Sequence, residues 1–172
     1  MLEALGQLTV EERAKLDVEV VGQAAPIESA RVYAEGLEAR LKVLQLEDVV
    51  RFSGFVPDVK GKLAEADWMV LPSVNEPCAV AISEALASGI PVLVTRSGGN
   101  VDTVQDGENG VLFDVGNAAA LAEKLRWILG GGALSRDAAG IRESARERSA
   151  SYVKERLYAL YAKWPFKPSS PA

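Results

Sequence analysis

Residues Leu71 to Gly99, which read LPSVNEPCAVAISEALASGIPVLVTRSGG, decide the fold of the chain. The apolar run Trp68 to Leu71 is typical of a buried strand that ends at a turn. Pro77 suits the first position of a helix, because its ring fixes φ and that position needs no N–H. Gly89 would end this helix, and the run Pro91 to Thr95 predicts the next strand.

The start of this predicted helix is a candidate anion site. The first N–H groups of a helix have no partner within the helix, and the helix dipole adds positive potential there. With Pro77 in the first turn, these are the N–H groups of Cys78, Ala79 and Val80. We expect them to lie at the carboxyl ends of the strands, where a helix start readily binds phosphate.

Two carboxylates, Glu76 and Glu84, flank this helix start. Eight residues of helix place them about 80° apart around the helix axis, so both can border one crevice. A carboxylate accepts hydrogen bonds from two neighbouring hydroxyls, and the layout therefore suits a sugar, a pyrophosphate and a ribose. A plainer interpretation makes Glu76 a first-turn charge that complements the dipole and Glu84 a solvated helix residue. The spacing alone favours that plainer interpretation.

These residues also carry a family resemblance. The run from Pro72 to Gly99, followed by DGENGVLF at residues 106–113, resembles the carboxy-terminal domain of the group 1 glycosyltransferases, a retaining family with the two-domain GT-B fold. VRFSGFVPD at residues 50–58 fits the same pattern. One departure matters: Cys78 and Ala79 replace the family's usual Phe-Gly, so a methyl group stands where backbone normally approaches phosphate.

The resemblance implies transfer of a sugar from a nucleoside diphosphate, UDP or GDP, with retention and without a required metal or other cofactor. The acceptor would be a hydroxyl of a glycan, a lipid or a small molecule. Glu76 would be the catalytic residue that holds sugar hydroxyls, and Glu84 would hold the ribose. The other implied donor-binding residues are Cys78, Ala79, Val80, Val56, Gly98 and Gly99. The residues alone leave open that the Val56 loop and the Gly98–Gly99 loop are mere turns.

Composition excludes several other classes of function. A net charge of −5 argues against nucleic acid as a partner. Without histidine and with one cysteine, the chain lacks the ligands for the usual metal clusters and for His-based triads. No apolar run is long enough to predict a transmembrane segment. We expect a cytoplasmic protein, with any peripheral membrane contact made through an amino-terminal domain that also supplies the acceptor site.

The rest of the chain alternates strands with helices. Residues 1–164 are expected to form one nucleotide-sugar-binding domain, followed by a loose tail at residues 165–172 that is rich in proline and serine. The other predicted strands are Val18–Val21, Val49–Phe52 and Val111–Phe113. The other predicted helices are Met1–Leu8, Ile27–Leu44, a short helix anchored by Leu63 and Ala64, Val101–Val104, Ala118–Leu129, Ser135–Arg148 and Tyr152–Trp164.

This alternation predicts the α/β class: a doubly wound, Rossmann-like parallel sheet flanked by helices. The resembling domain has one more strand, the first and central one, together with basic residues that follow it. We therefore expect a domain truncated at its amino end, whose neighbouring strands have unpaired edges. Two alternatives to the transferase remain: a non-catalytic nucleotide-binding or regulatory module, and some other doubly wound binding domain.

Overall fold

A computed structural model describes residues 1–77 and 79–164. The chain alternates α-helices and β-strands almost throughout, as expected. The helices are α1 (Leu2–Gly6), α2 (Val10–Arg13), α3 (Glu28–Val43), α4 (Val59–Ala64), α5 (Val80–Ser88), α6 (Asn100–Thr103), α7 (Ala118–Leu129), α8 (Ala138–Ser144) and α9 (Ala150–Lys163). The strands are β1 (Val18–Val21), β2 (Val50–Gly54), β3 (Met69–Leu71), β4 (Val92–Thr95) and β5 (Gly110–Phe113).

All strand pairs in the described part of the chain are parallel, which confirms the predicted α/β class. β1 pairs with β2, with Val18 opposite Val50. β4 lies between β3 and β5, so that Val92 pairs with Met69 on one side and Gly110 on the other. Crossover helices such as α3 and α5 connect these parallel strands, as parallel pairing requires.

The strands form two sheets instead of one. Within residues 1–77 and 79–164, β1 and β2 make a two-stranded sheet, while β3, β4 and β5 make a three-stranded sheet. β1, β2, β3 and β5 are therefore edge strands in the described part of the chain. β1 does not pair with β3 there, and the predicted truncation of the domain stays a prediction.

Two hydrophobic clusters hold the sheets and helices together. One cluster includes Leu5 of α1, Val50 of β2, Leu93 of β4 and Leu121 of α7, and so joins both sheets. The second lies on the opposite face of β4, where α5 and α8 pack against Val92 and Val94. β4 is therefore buried along its whole length, in line with its apolar run Val92–Val94.

The predicted start of α5 is wrong. Pro77 lies in the preceding loop, and the helix begins at Val80 with Ala79 as its N-cap. Ala79 has the extended backbone of an N-cap (φ −79°, ψ 111°). The prediction fails because the fixed φ of proline suits Pro77 to a loop as well as to a first helical turn. The predicted end is confirmed, since Gly89 adopts the left-handed conformation with φ +82°.

Local capping also changes other predicted helices. Thr9 and Glu12 form a reciprocal capping box, which starts α2 after the short α1. The predicted helix Ser135–Arg148 is instead α8, capped by Asp137, followed by a 3₁₀ turn at Arg146–Arg148. The tail predicted for residues 165–172 lies outside the described residues. Within them, no helix has the length and apolar character needed to cross a membrane.

Candidate functional site

The predicted site is built from loops that follow the neighbouring strands β3 and β4. Glu76 lies in the loop after β3, and Gly98 and Gly99 lie in the loop after β4. The Gly99 N–H donates to the carbonyl oxygens of Glu76 at 3.3 Å and Pro77 at 3.1 Å. The structure thus brings three of the predicted site residues, Glu76, Gly98 and Gly99, into direct contact.

Gly98 allows these two loops to approach each other. Its φ of +48° belongs to the left-handed region, which glycine adopts without strain. A Cβ at this position would lie 2.9 Å from the carbonyl carbon of Glu76 and closer still to its oxygen. Gly98 is therefore needed for the fit between two protein loops. Its contact with a ligand, and that of Gly99, stay predictions.

Two hydroxyl groups extend the contact between these loops. Thr95, at the end of β4, donates its Oγ1–H to the Ser73 carbonyl at 2.7 Å. Ser97 donates its Oγ–H to the Val74 carbonyl at 3.3 Å. Neither hydroxyl is among the site residues predicted from the sequence. The sequence signal for Thr95 is a polar residue at the end of an otherwise apolar strand. In the structure this residue is only 1% exposed.

The free N–H groups at the start of α5 lie further along the chain than predicted, because the helix begins at Val80. Ala79 is the N-cap and has no side-chain cap of its own. The Ile82 N–H donates to the Ala79 carbonyl at 3.2 Å, while the N–H groups of Val80 and Ala81 have no backbone acceptor among the described residues. Val80 remains in the candidate anion site, Ala81 joins it, and Cys78 lies outside the described residues.

The two candidate glutamates differ in exposure. Glu76 is half-buried in its loop, whereas Glu84 is exposed on the second turn of α5. Across residues 1–77 and 79–164, neither carboxylate takes part in a side-chain hydrogen bond or an ion pair. Both side chains are thus available to a ligand, although the same exposure also fits a solvated Glu84.

Val56 belongs to the other sheet. It is half-buried in the loop between β2 and α4, next to Asp58, whose carboxylate caps α4 by accepting from the Gly61 N–H at 2.9 Å. In the described part of the chain, no hydrogen bond joins this loop to the loops after β3 and β4. Val56 therefore stays a separate prediction.

Two cavities lie away from these loops. One of about 490 Å³ is lined by the β1–α3 loop and the start of α3, between Ala24 and Glu38. Another of about 360 Å³ runs along α9, between Ala150 and Tyr161. Neither cavity is lined by residues of the candidate site. No group of three or more potential metal ligands is clustered within the described ranges.

A charged cluster on the two-stranded sheet shows a large pKa shift. The Glu19 carboxylate accepts from the Ser53 hydroxyl at 2.5 Å and from Arg51 at 2.9 Å, and it lies 3.2 Å from the Lys62 ammonium. These hydrogen bonds, that of Ser53 most strongly, lower the pKa of Glu19 to about 2. The cluster ties β1, β2 and α4 together on the surface.

Residues 1–148 match the family described as glycosyl transferases group 1. The chain belongs to the group 1 glycosyltransferases. Among its curated relatives, this group 1 domain is 32% identical to a D-inositol 3-phosphate glycosyltransferase of Nocardioides, over 94% of the chain and 37% of that protein. It is 41% identical to a putative colanic acid biosynthesis glycosyltransferase of Salmonella typhimurium, over 51% of the chain and 25% of that protein.

Solved structures of similar fold include one with a nucleotide sugar. The group 1 domain aligns with HepE of Anabaena in complex with UDP-glucose at a TM-score of 0.81 and 25% identity, covering 95% of this chain and 44% of HepE. This likeness confirms the Rossmann-like fold of GT-B glycosyltransferases. The chain spans less than half the length of these relatives.

Proposed function

We propose that the chain binds a nucleoside diphosphate sugar at the carboxyl ends of β3 and β4, as the donor half of a retaining glycosyltransferase. The observation that carries the proposal is the meeting of the Glu76 loop, the Gly98–Gly99 loop and the start of α5 at one place. HepE, which shares the fold and a quarter of the aligned sequence, has been solved with UDP-glucose. UDP is therefore the first nucleotide to test, and GDP the second.

Each part of the donor has a proposed partner. The diphosphate lies at the start of α5, where the N–H groups of Val80 and Ala81 and the helix dipole stabilise its charge. Glu84 accepts hydrogen bonds from the ribose hydroxyls, and Glu76 accepts them from the sugar. Cys78 and Ala79 border the diphosphate, Val56 contacts the base, and Gly98 and Gly99 complete the donor site.

Catalysis would be electrostatic. As the bond between the sugar and the diphosphate breaks, negative charge grows on the leaving phosphate, and a fixed helix start stabilises this charge. No metal is required in this scheme. The acceptor hydroxyl, and further basic groups for the diphosphate, would come from another domain, so that the isolated chain binds the donor weakly and transfers little sugar.

A non-catalytic nucleotide-binding module is the second candidate. The observation that favours it is Ala79, whose methyl group stands at the N-cap of α5 where the family usually has glycine. Such a module would retain nucleotide binding without any role for Glu76. The two candidates therefore differ in whether the sugar contributes to affinity.

A thermal shift titration with uridine, guanosine and adenosine diphosphates tests the nucleotide binding that both candidates share. Ligand at one hundred times its dissociation constant should stabilise the domain by about 2.7 kcal/mol. We expect this shift with one of the three nucleotides. The absence of a shift with all of them at millimolar concentration would contradict nucleotide binding by this chain.

A further inference from the structure

The segment that carries Glu76 is held by one neighbouring segment along its whole length. Thr95 and Ser97 donate to the carbonyls of Ser73 and Val74, which precede Glu76. The Gly99 N–H donates to the carbonyls of Glu76 and Pro77. We call residues 95–99 the Thr95–Gly99 segment. Its donors therefore bracket Glu76 on both sides.

The Thr95–Gly99 segment is itself fixed from α6. Asn100, which is fully buried, donates its Nδ2–H to the Thr95 carbonyl at 3.0 Å. Thr103 donates its Oγ1–H to the Gly99 carbonyl at 2.9 Å. A chain of hydrogen bonds thus runs from α6 through this segment to the Glu76 loop. The Asn100 bond is buried, and buried hydrogen bonds rigidify the groups that they join.

We propose that Thr95 and Ser97 are positioning residues, which hold the Glu76 carboxylate where it can contact the donor sugar. This inference rests on the proposed contact between Glu76 and the sugar. Glu76 lies in a loop, and its carboxylate has no partner in the described part of the chain, so its position depends on its backbone. A catalytic or binding group keeps its effect only when its supporting residues hold it within about 0.5 Å.

Substitutions of Thr95 test the role of its hydroxyl most directly. Thr95→Val keeps the shape of the side chain and removes the donor to Ser73, whereas Thr95→Ser keeps the donor. Ser97→Ala removes the second hydroxyl at a more exposed position and is the variant less able to disturb folding. Ser88→Ala is the matched control, because its hydroxyl also donates to a backbone carbonyl, that of Glu84, at the far end of α5.

The experiment is calorimetry on the whole chain with UDP and with UDP-glucose. The ratio of the two dissociation constants isolates the contribution of the sugar. We expect Glu76→Gln to reduce this preference about tenfold or more, as for the loss of a hydrogen bond to a charged group. Thr95→Val and Ser97→Ala should reduce it in the same direction with UDP affinity unchanged, while Thr95→Ser and Ser88→Ala preserve it.

A double variant distinguishes a positioning role from a purely structural one. If Thr95 acts through Glu76, adding Thr95→Val to Glu76→Gln should cause no further loss of sugar preference. Equal losses of UDP and UDP-glucose affinity, or additive losses in the double variant, would overturn the positioning role. If Glu76→Gln itself leaves the preference unchanged, the proposed sugar contact fails instead, and the positioning role fails with it.

Discussion

At the scale of single residues, Glu76 and Glu84 have different proposed partners, the sugar and the ribose of the donor. Glu76 is half-buried and held by its loop, while Glu84 is exposed on α5. If they bind different parts of one ligand, their effects on binding must separate. The proposed sugar preference depends on this separation.

We expect Glu84→Gln to weaken UDP and UDP-glucose alike and Glu76→Gln to weaken only UDP-glucose. The loss of a charge-assisted hydrogen bond at either site should reduce the binding free energy by roughly 1.5 to 3 kcal/mol. Calorimetry with both ligands measures the split. Equal effects of Glu76→Gln on both ligands would mean that the roles are misassigned, and no effect from either variant would restore the solvated-residue interpretation.

A second prediction for a single residue is that Ala79→Gly raises the affinity for UDP. Ala79→Gly removes the methyl group at the N-cap of α5, and glycine is well tolerated at that position. We expect tighter UDP binding by calorimetry, because phosphate can then approach the backbone more closely. Ala87→Gly, on an exposed turn of the same helix, controls for the general cost of glycine in a helix. Unchanged or weaker binding by Ala79→Gly would contradict a phosphate contact there.

At the scale of elements, sequence patterns predicted strand positions better than helix starts. Uninterrupted apolar runs placed β3, β4 and β5 within one or two residues, and Gly89 marked the end of α5. The start of α5 was missed because Pro77 fits a loop and a helix equally. The contact between the Glu76 loop and the Thr95–Gly99 segment was not predictable, because it joins residues more than twenty positions apart through backbone carbonyls.

The Glu19 cluster connects three elements and makes their stability depend on pH. The folded pKa of Glu19 is about 2, below its ordinary value of 4.5. The contribution of ionised Glu19 to the free energy of unfolding is therefore fully present above pH 4.5 and is lost as the pH falls towards 2. We expect urea unfolding to show that Glu19→Gln destabilises the chain near neutral pH and that this difference shrinks over that range.

Glu123→Gln, on the exposed face of α7, is the control for this series. It should leave the free energy of unfolding and its pH dependence close to those of the unsubstituted chain. A difference between Glu19→Gln and the unsubstituted chain that persists unchanged to pH 2 would contradict the role of the charged cluster.

At the scale of the whole molecule, the strands form two separate sheets, and β1, β2, β3 and β5 each have an unpaired edge in the described part of the chain. Edge strands with free N–H and C=O groups invite pairing with another chain. We expect the molecular mass by light scattering, and the melting temperature, to rise with protein concentration. A monomer at all concentrations that melts cooperatively would show that the split sheet is stable without a partner strand.

The central claim is that the donor binds where the β3 and β4 loops meet α5. An NMR titration of the ¹⁵N-labelled chain with UDP tests this claim directly. We expect shifts of the amide signals of Val80, Ala81, Glu84 and the Gly98–Gly99 loop. Shifts confined to the cavity between Ala24 and Glu38 or to α9, or no shift at saturating UDP, would contradict it.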